Sequence, residues 1–228
     1  MSNITVMAWI NLASVSYWSR IFDFGNNTTS YMFLTPRNGF DYTARFGISP
    51  SGSGGERDIN CPMAVGISAW YQVVVTLNSG TGILYMDGSA VGTNASMNIN
   101  PSSLGSTVNN YIGRSQSGSE PCMDGSIDEF RIYNVALAPV EIAASAAMGP
   151  SQLLSTNSPA MNLALTGANL TVSWPVASAG FTLQSRTNLT LGDWMNVTLP
   201  APQIIGSQWQ VVLPPSGNTP STFYRLLK

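Results

Sequence analysis

The stretch SAWYQVVVTLNSGTGILYMDGSAVG (68–92) decides how the rest of the chain is read. Val73, Val75 and Leu77 alternate with Gln72, Val74 and Thr76, the period-two pattern of a strand with two different faces. NSGTG (78–82) breaks the run, Ile83 and Tyr85 begin a second strand, and Asp87-Gly88 is a tight-turn dipeptide. Outward from there, NNYIGRS (109–115) reads as a further short strand and ITVMAWINL (4–12) as an apolar one. GSIDEFRIYNVALAPVEI (125–142) reads as a strand followed by a helix. In strict alternation it puts Ile127, Glu129, Arg131 and Tyr133 on one face and Asp128, Phe130 and Ile132 on the other. Pro139 then stands at a helix-start position with Glu141 in the first turn. These pieces predict an all-β sandwich.

The chain has 228 residues, enough for one large sandwich or two modest domains. Charged residues make up 9% of it, the net charge is −2, and the single lysine is Lys228. No basic stripe is available for phosphate backbones, so nucleic acid is not an expected partner. No apolar run approaches the roughly 20 residues of a membrane span, and no charged segment followed by an apolar one marks a signal peptide near Met1. A polar surface of Ser, Thr, Asn and Gly accompanies secreted β-proteins, and a secreted or cell-surface location is the expectation. Cys61 and Cys122 lie in loop-like surroundings, ERDINCPM and GSEPCMDG. An even count in such a chain points to one disulfide, the other reading being two free thiols.

Gly149-Pro150 and the polar SQLLSTNSPA (151–160) punctuate the chain, which divides into a first domain (1–148), a linker (149–160) and a second domain (161–228). In the last of these, LTVSW (170–174), FTLQS (181–185), WMNV (194–197), WQVVL (209–213) and FYRLL (223–227) are strand-like runs separated by Pro, Gly or Asn. That spacing suits a small antiparallel, immunoglobulin- or fibronectin-like sandwich. The series resembles the small C-terminal β-modules appended to secreted proteins of environmental bacteria.

The first domain carries a more specific likeness. Its "W-x-x-V-x-x-T", LYMDG, YIGRS and "G-x-I-D-E-F-R-I-Y-N-x-A-L-x-P-x-E-I" patterns, over roughly residues 3–147, resemble the laminin-G-like branch of the concanavalin A-like lectin/glucanase superfamily. The resemblance implies a jelly-roll β-sandwich. It also implies a calcium ion tied to the Asp of the closing motif, which makes Asp128 the candidate ligand, with Asp23 and Asp124 as partners. Calcium takes six to eight oxygens and needs no histidine.

The chain has no histidine at all, which removes Ser–His and Cys–His nucleophile pairs and the commonest general base. The superfamily's glucanases carry alternating acids on one strand; here Asp128 and Glu129 are adjacent and make a poor catalytic pair. Sugar recognition needs exposed aromatic platforms beside hydrogen-bonding side chains. Trp18 and Tyr42 are the aromatic candidates, with Tyr17, Tyr31, Phe40 and Arg45 nearby in sequence, whereas Trp9 and Trp70 read as core. Arg57 and Asp58 lie in the loop before Cys61, and Arg114 and Glu120 before Cys122; a Cys61–Cys122 bridge would gather all four at one end of the sandwich.

The favoured function is therefore a non-catalytic recognition module for carbohydrate or another extracellular ligand, with a structural calcium. The alternatives are a calcium-dependent hydrolase of glycosidic, ester or lactone bonds, and an adhesive or spacer piece of a larger surface protein.

Overall fold

The computed structural model describes residues 2–155, 157–215 and 221–228. The chain divides into two compact units, Met1–Pro139 and Val140–Lys228.

In the first unit, ten strands form two antiparallel sheets: β1 Ile4–Ser14, β2 Phe22–Gly25, β3 Tyr31–Thr35, β4 Arg45–Ser49, β5 Arg57–Asn60, β6 Trp70–Asn78, β7 Thr81–Met86, β8 Ser89–Asn94, β9 Asn109–Ile112 and β10 Asp124–Tyr133. One sheet runs β10-β1-β6-β7-β8 and the other β5-β4-β3-β2-β9. The quoted stretch forms β6 to β8 through two two-residue turns, Ser79-Gly80 and Asp87-Gly88. All four turn residues have positive φ, the geometry whose twist matches the flanking strands. Asp87 also accepts the Gln72 N–H at 2.8 Å, tying the second turn to β6.

The core lies between the sheets. Ile4, Val6, Ala8, Ile10 and Leu12 of β1 and Val73, Val75 and Leu77 of β6 meet Phe22, Phe24, Met32, Leu34, Phe46, Ile48 and Ile59 of the other sheet. Burying a large apolar side chain contributes about 2 kcal/mol, so this interleaved set sets the register of every strand it includes. The strict alternation expected along β10 fails at Glu129. This residue has φ 56° and sits at a register shift opposite the Met7–Trp9 segment of β1. The bulge inverts the pleat, so that Ile127 and Phe130 both pack on the core. Trp70, expected in the core, is 46% exposed at the start of β6.

The expected disulfide is absent: both cysteines are free, Cys61 buried and Cys122 exposed. Cys61 follows β5 at one edge of its sheet and packs into the core. Cys122 precedes Met123, whose N–H donates to Gly113 just beyond β9, at the opposite edge. Four strand spacings of about 4.8 Å separate those edges, whereas a disulfide needs Cα atoms within about 7 Å.

The second unit begins within the single α-helix found among the described residues, α1 Pro139–Met148. Ala144 of that helix belongs to a core with Val172, Trp174, Leu183, Trp209 and Val211. Its strands are β11 Asn162–Thr166, β12 Asn169–Pro175, β13 Thr182–Arg186, β14 Met195–Asn196, β15 Gln203–Ile205, β16 Gln208–Leu213 and β17 Phe223–Leu227. They make a β11-β12-β16-β15 sheet and a β14-β13-β17 sheet, both antiparallel. In the segment expected as linker, the Ser155 N–H donates to the Ala177 carbonyl at 2.7 Å; Thr156 lies outside the described residues. No helix among the described residues is long and apolar enough to cross a membrane.

Candidate functional site

The β5-β4-β3-β2-β9 sheet turns one face to the core, and its other face collects the chain's polar and aromatic side chains. Cross-strand registers place Tyr111, Asp23, Phe33, Gly47 and Asp58 in one row from β9 to β5. The local cause is the pleat: Phe22 and Phe24 point inward, so Asp23 between them must point out. Gly47 leaves room above the row. A Cβ there would come within 2.8 Å of the Phe33 ring and 2.7 Å of the Glu56 carboxyl carbon, so both groups lie over the sheet because position 47 has no side chain.

Asp23 and Phe33, with Arg20, Thr28, Tyr31, Ser53, Ser115, Gln116, Ser117 and Glu120, line a hollow of about 230 Å³. The Arg20 guanidinium lies over the Phe33 ring, its Cζ 4.0 Å from the centroid. It donates to the Trp18 carbonyl at 2.7 Å and pairs with Glu120 at 2.8 Å; Glu120 in turn accepts a short hydrogen bond from the Ser115 hydroxyl. Asp23 Oδ2 accepts the Gln116 N–H at 3.0 Å and lies 3.5 Å from Arg20 Nε. Asp23 Oδ1 and Arg20 Nε are buried without a hydrogen-bond partner.

Burial raises the Asp23 carboxyl from its ordinary 3.8 to about 6, against the pull of the Gln116 N–H and the Arg20 charge. Burial, followed by the Glu56 charge, pushes the Tyr31 phenol far above its usual range, so it stays protonated and donates to Glu56 at 2.9 Å. Glu56 also receives Arg45 at 2.6 Å, and Arg45 reaches Asp58 at 3.0 Å.

An aromatic rim continues from the hollow. The Trp18 ring meets Phe33 edge-on at 6.5 Å and Phe40 at 5.3 Å. Tyr17 and Tyr42 lie 5.3 Å apart, with the Arg37 guanidinium over both rings. Phe40 is 73% exposed and Tyr42 51%. The loop that presents them is held by Asn38, which is fully buried. Its side-chain oxygen accepts the N–H groups of Phe40 and Asp41, and its amide donates to Asp41 and to the Thr43 carbonyl. Hydrogen bonds from Thr43 and Asn38 hold the Asp41 carboxyl below its ordinary range.

Of the residues singled out in the sequence, Trp18, Tyr42, Asp23 and Asp58 share this face. Arg57 does not: it points off the edge strand and donates to Asn98 at 2.9 Å. Arg114 rests over Tyr111 at the opposite edge from Asp58. The expected gathering of Arg57, Asp58, Arg114 and Glu120 therefore does not occur. Arg20, Phe33 and Gln116 carry no signal in the sequence, and Glu56 is legible there only as the charged neighbour of Arg57 and Asp58 in the loop before Cys61. The Phe-Asp-Phe alternation was a signal that Asp23 faces away from the core, whereas YMFLT (31–35) shows no alternation of polar and apolar residues around Phe33 and gives no hint of which face it takes.

The three carboxylates offered to calcium do not converge. Asp23 is on one sheet and turned to Arg20, while Asp124 and Asp128 are on the other. Asp124 accepts the Ser14 hydroxyl at 2.7 Å, and Asp128 stands opposite Trp9 in the ladder. No group of three or more His, Cys, Asp or Glu residues that could hold a metal occurs among the described residues. As a set, these three carboxylates do not form one site for the ion.

No curated protein matches the chain. Solved structures share its fold. Domain 4 of AbnA, a GH43 extracellular arabinanase from Geobacillus stearothermophilus solved with arabinotriose, is 21% identical with TM-score 0.55 over 63% of this chain and 66% of that one. The Ruminococcus gnavus IT-sialidase CBM40 bound to α2,3-sialyllactose is 16% identical with TM-score 0.54, over 63% of this chain and 82% of that one. NanB, solved with Optactamide, is 15% identical with TM-score 0.55; the match covers 77% of this chain and 30% of NanB. The chain thus spans less than two thirds of the arabinanase domain and of NanB. The family profile described as the concanavalin A-like lectin/glucanases superfamily matches residues 1–143, and the chain belongs to that superfamily.

Proposed function

We propose that the first unit is a non-catalytic carbohydrate-binding module of a secreted or cell-surface protein, and that the sugar seats in the hollow over Asp23. One observation carries the reading. At the wall of an open hollow, Asp23 Oδ1 has no hydrogen-bond partner, and Arg20 Nε has none beyond its long 3.5 Å ion pair with Asp23 Oδ2. Leaving such groups unsatisfied costs about 1–3 kcal/mol each. A hydroxyl group donates and accepts at once and so suits both. The surroundings favour the same ligand: Thr28, Ser53, Gln116 and Ser117 line the hollow with hydrogen-bonding groups, and the exposed rings of Phe40 and Tyr42 stand at its rim. Two structural neighbours were solved with sugars bound, arabinotriose and α2,3-sialyllactose, which supports the reading by analogy of fold.

Catalysis would have to draw on Asp23 and Glu120, and both are engaged with the same guanidinium. The test is an oligosaccharide array followed by titration calorimetry, with product analysis over hours. Binding that leaves the sugar intact and weakens in Phe33→Ala supports the proposal. Accumulating product would replace it with the hydrolase, and the absence of any binding would replace it with the spacer.

A further inference from the structure

Resting on that reading, we infer that the hollow selects neutral sugars and turns away those carrying a carboxylate, the uronic and sialic acids. The charges around it are unbalanced. Asp23 and Glu120 line it with Arg20 as the one guanidinium between them. Behind Tyr31, Glu56 and Asp58 similarly share Arg45. Four carboxylates thus stand against two guanidinium groups, and the guanidinium groups are already engaged. Arg20 spends its terminal nitrogens on Glu120 and the Trp18 carbonyl, and Arg45 is held by Glu56 and Asp58.

A sugar carboxylate is best held by a free guanidinium fork. To obtain one here it would displace Glu120 or Glu56 and leave the displaced charge beside its own. The remaining cations do not relieve this. Arg37 lies over Tyr17 and Tyr42, Arg114 lies over Tyr111, and neither lines the hollow. The unpaired Asp23 Oδ1 points the same way, because it needs a donor. A hydroxyl supplies one, and an ionised carboxylate has none. The uncharged lining of Thr28, Ser53, Gln116 and Ser117 completes a set of partners for hydroxyl groups.

Matched oligosaccharides that differ only by an acidic residue test this: lactose against sialyllactose, and xylo-oligosaccharides with and without a glucuronic acid branch. Titrated into the whole chain at pH 7.5, the neutral member of a binding pair should be tighter by about tenfold or more, since like charges brought together oppose association. Glu120→Gln and, independently, the more exposed Asp58→Asn should each narrow that ratio by strengthening the acidic member. Using both variants guards against a folding defect in either, checked by thermal melting. Equal or tighter binding of the acidic member by the parent overturns the inference and leaves carbohydrate binding intact. A ratio that neither variant changes also overturns it, because charge would not be its cause. Failure of every pair to bind removes the carbohydrate reading itself.

Discussion

Asp23 is a carboxyl group held where a carboxylate is expensive to keep, and that has a measurable consequence. Its folded pKa of about 6 lies above the ordinary 3.8, so the folded chain binds this proton more tightly than the unfolded one. Below about pH 4 both states are protonated and the site imposes no penalty. As pH rises toward 6 the unfolded state ionises first and stability falls, and above that the full cost of about 3 kcal/mol applies. Asp23→Asn should remove this decline: in chemical denaturation, the variant's stability relative to the parent should rise by that order between pH 4 and pH 7. A difference that is flat with pH would contradict the assignment. At the rim, Phe40 is exposed enough that Phe40→Ala should leave folding unchanged and weaken sugar binding by about 1 kcal/mol, roughly fivefold. Arg57→Ala should alter neither, since the Arg57 guanidinium donates to Asn98 and to the carbonyl of its neighbour Glu56, away from the hollow.

At the scale of elements, β4 matters for what it omits. Gly47→Val would place atoms where the Phe33 ring and the Glu56 carboxyl now lie, under 3 Å from the backbone position of a Cβ. Overpacking of this kind destabilises by about 1–3 kcal/mol, and binding should fall more than stability does, because both displaced groups belong to the site. Calorimetry and thermal melts on one preparation separate the two effects. The bulge at Glu129 shows a different elemental constraint. β10 must keep Ile127 and Phe130 on the same core while β1 runs unbroken opposite it, and one residue in the left-handed region absorbs the mismatch.

For the whole molecule, the edges of the sheets decide the redox chemistry. With Cys61 buried and Cys122 exposed, a thiol reagent should titrate one group in the native protein and two after denaturation, without any reductant. Burial, which raises the Cys61 thiol pKa, adds to the protection of the first. Calcium is the other global test. Since Asp23, Asp124 and Asp128 do not meet, excess calcium and excess chelator should give the same melting temperature. A drop of several degrees on chelation, absent in Asp128→Asn, would restore the ion as a ligand of this chain.

The strands β1, β6, β7 and β10, the two-residue turns and the Pro139 helix start were legible without coordinates, because each depends on residues adjacent in the chain, although the alternation read along β10 breaks at Glu129. The same locality made the all-β sandwich and its superfamily readable. Strands β11 and β15 were not, since they are short, mostly exposed and carry no burial pattern. The site lay further out of reach. Its central row draws Asp23, Phe33, Gly47, Asp58 and Tyr111 from five strands, and pairing register alone puts them side by side. The fate of the two cysteines and of the three carboxylates offered to calcium depended likewise on which sheet, and which edge, received each segment. Local sequence determines where strands and turns fall; which face a side chain takes at a bulge, and what stands beside it, are decided only when the sheets pair and close on their core.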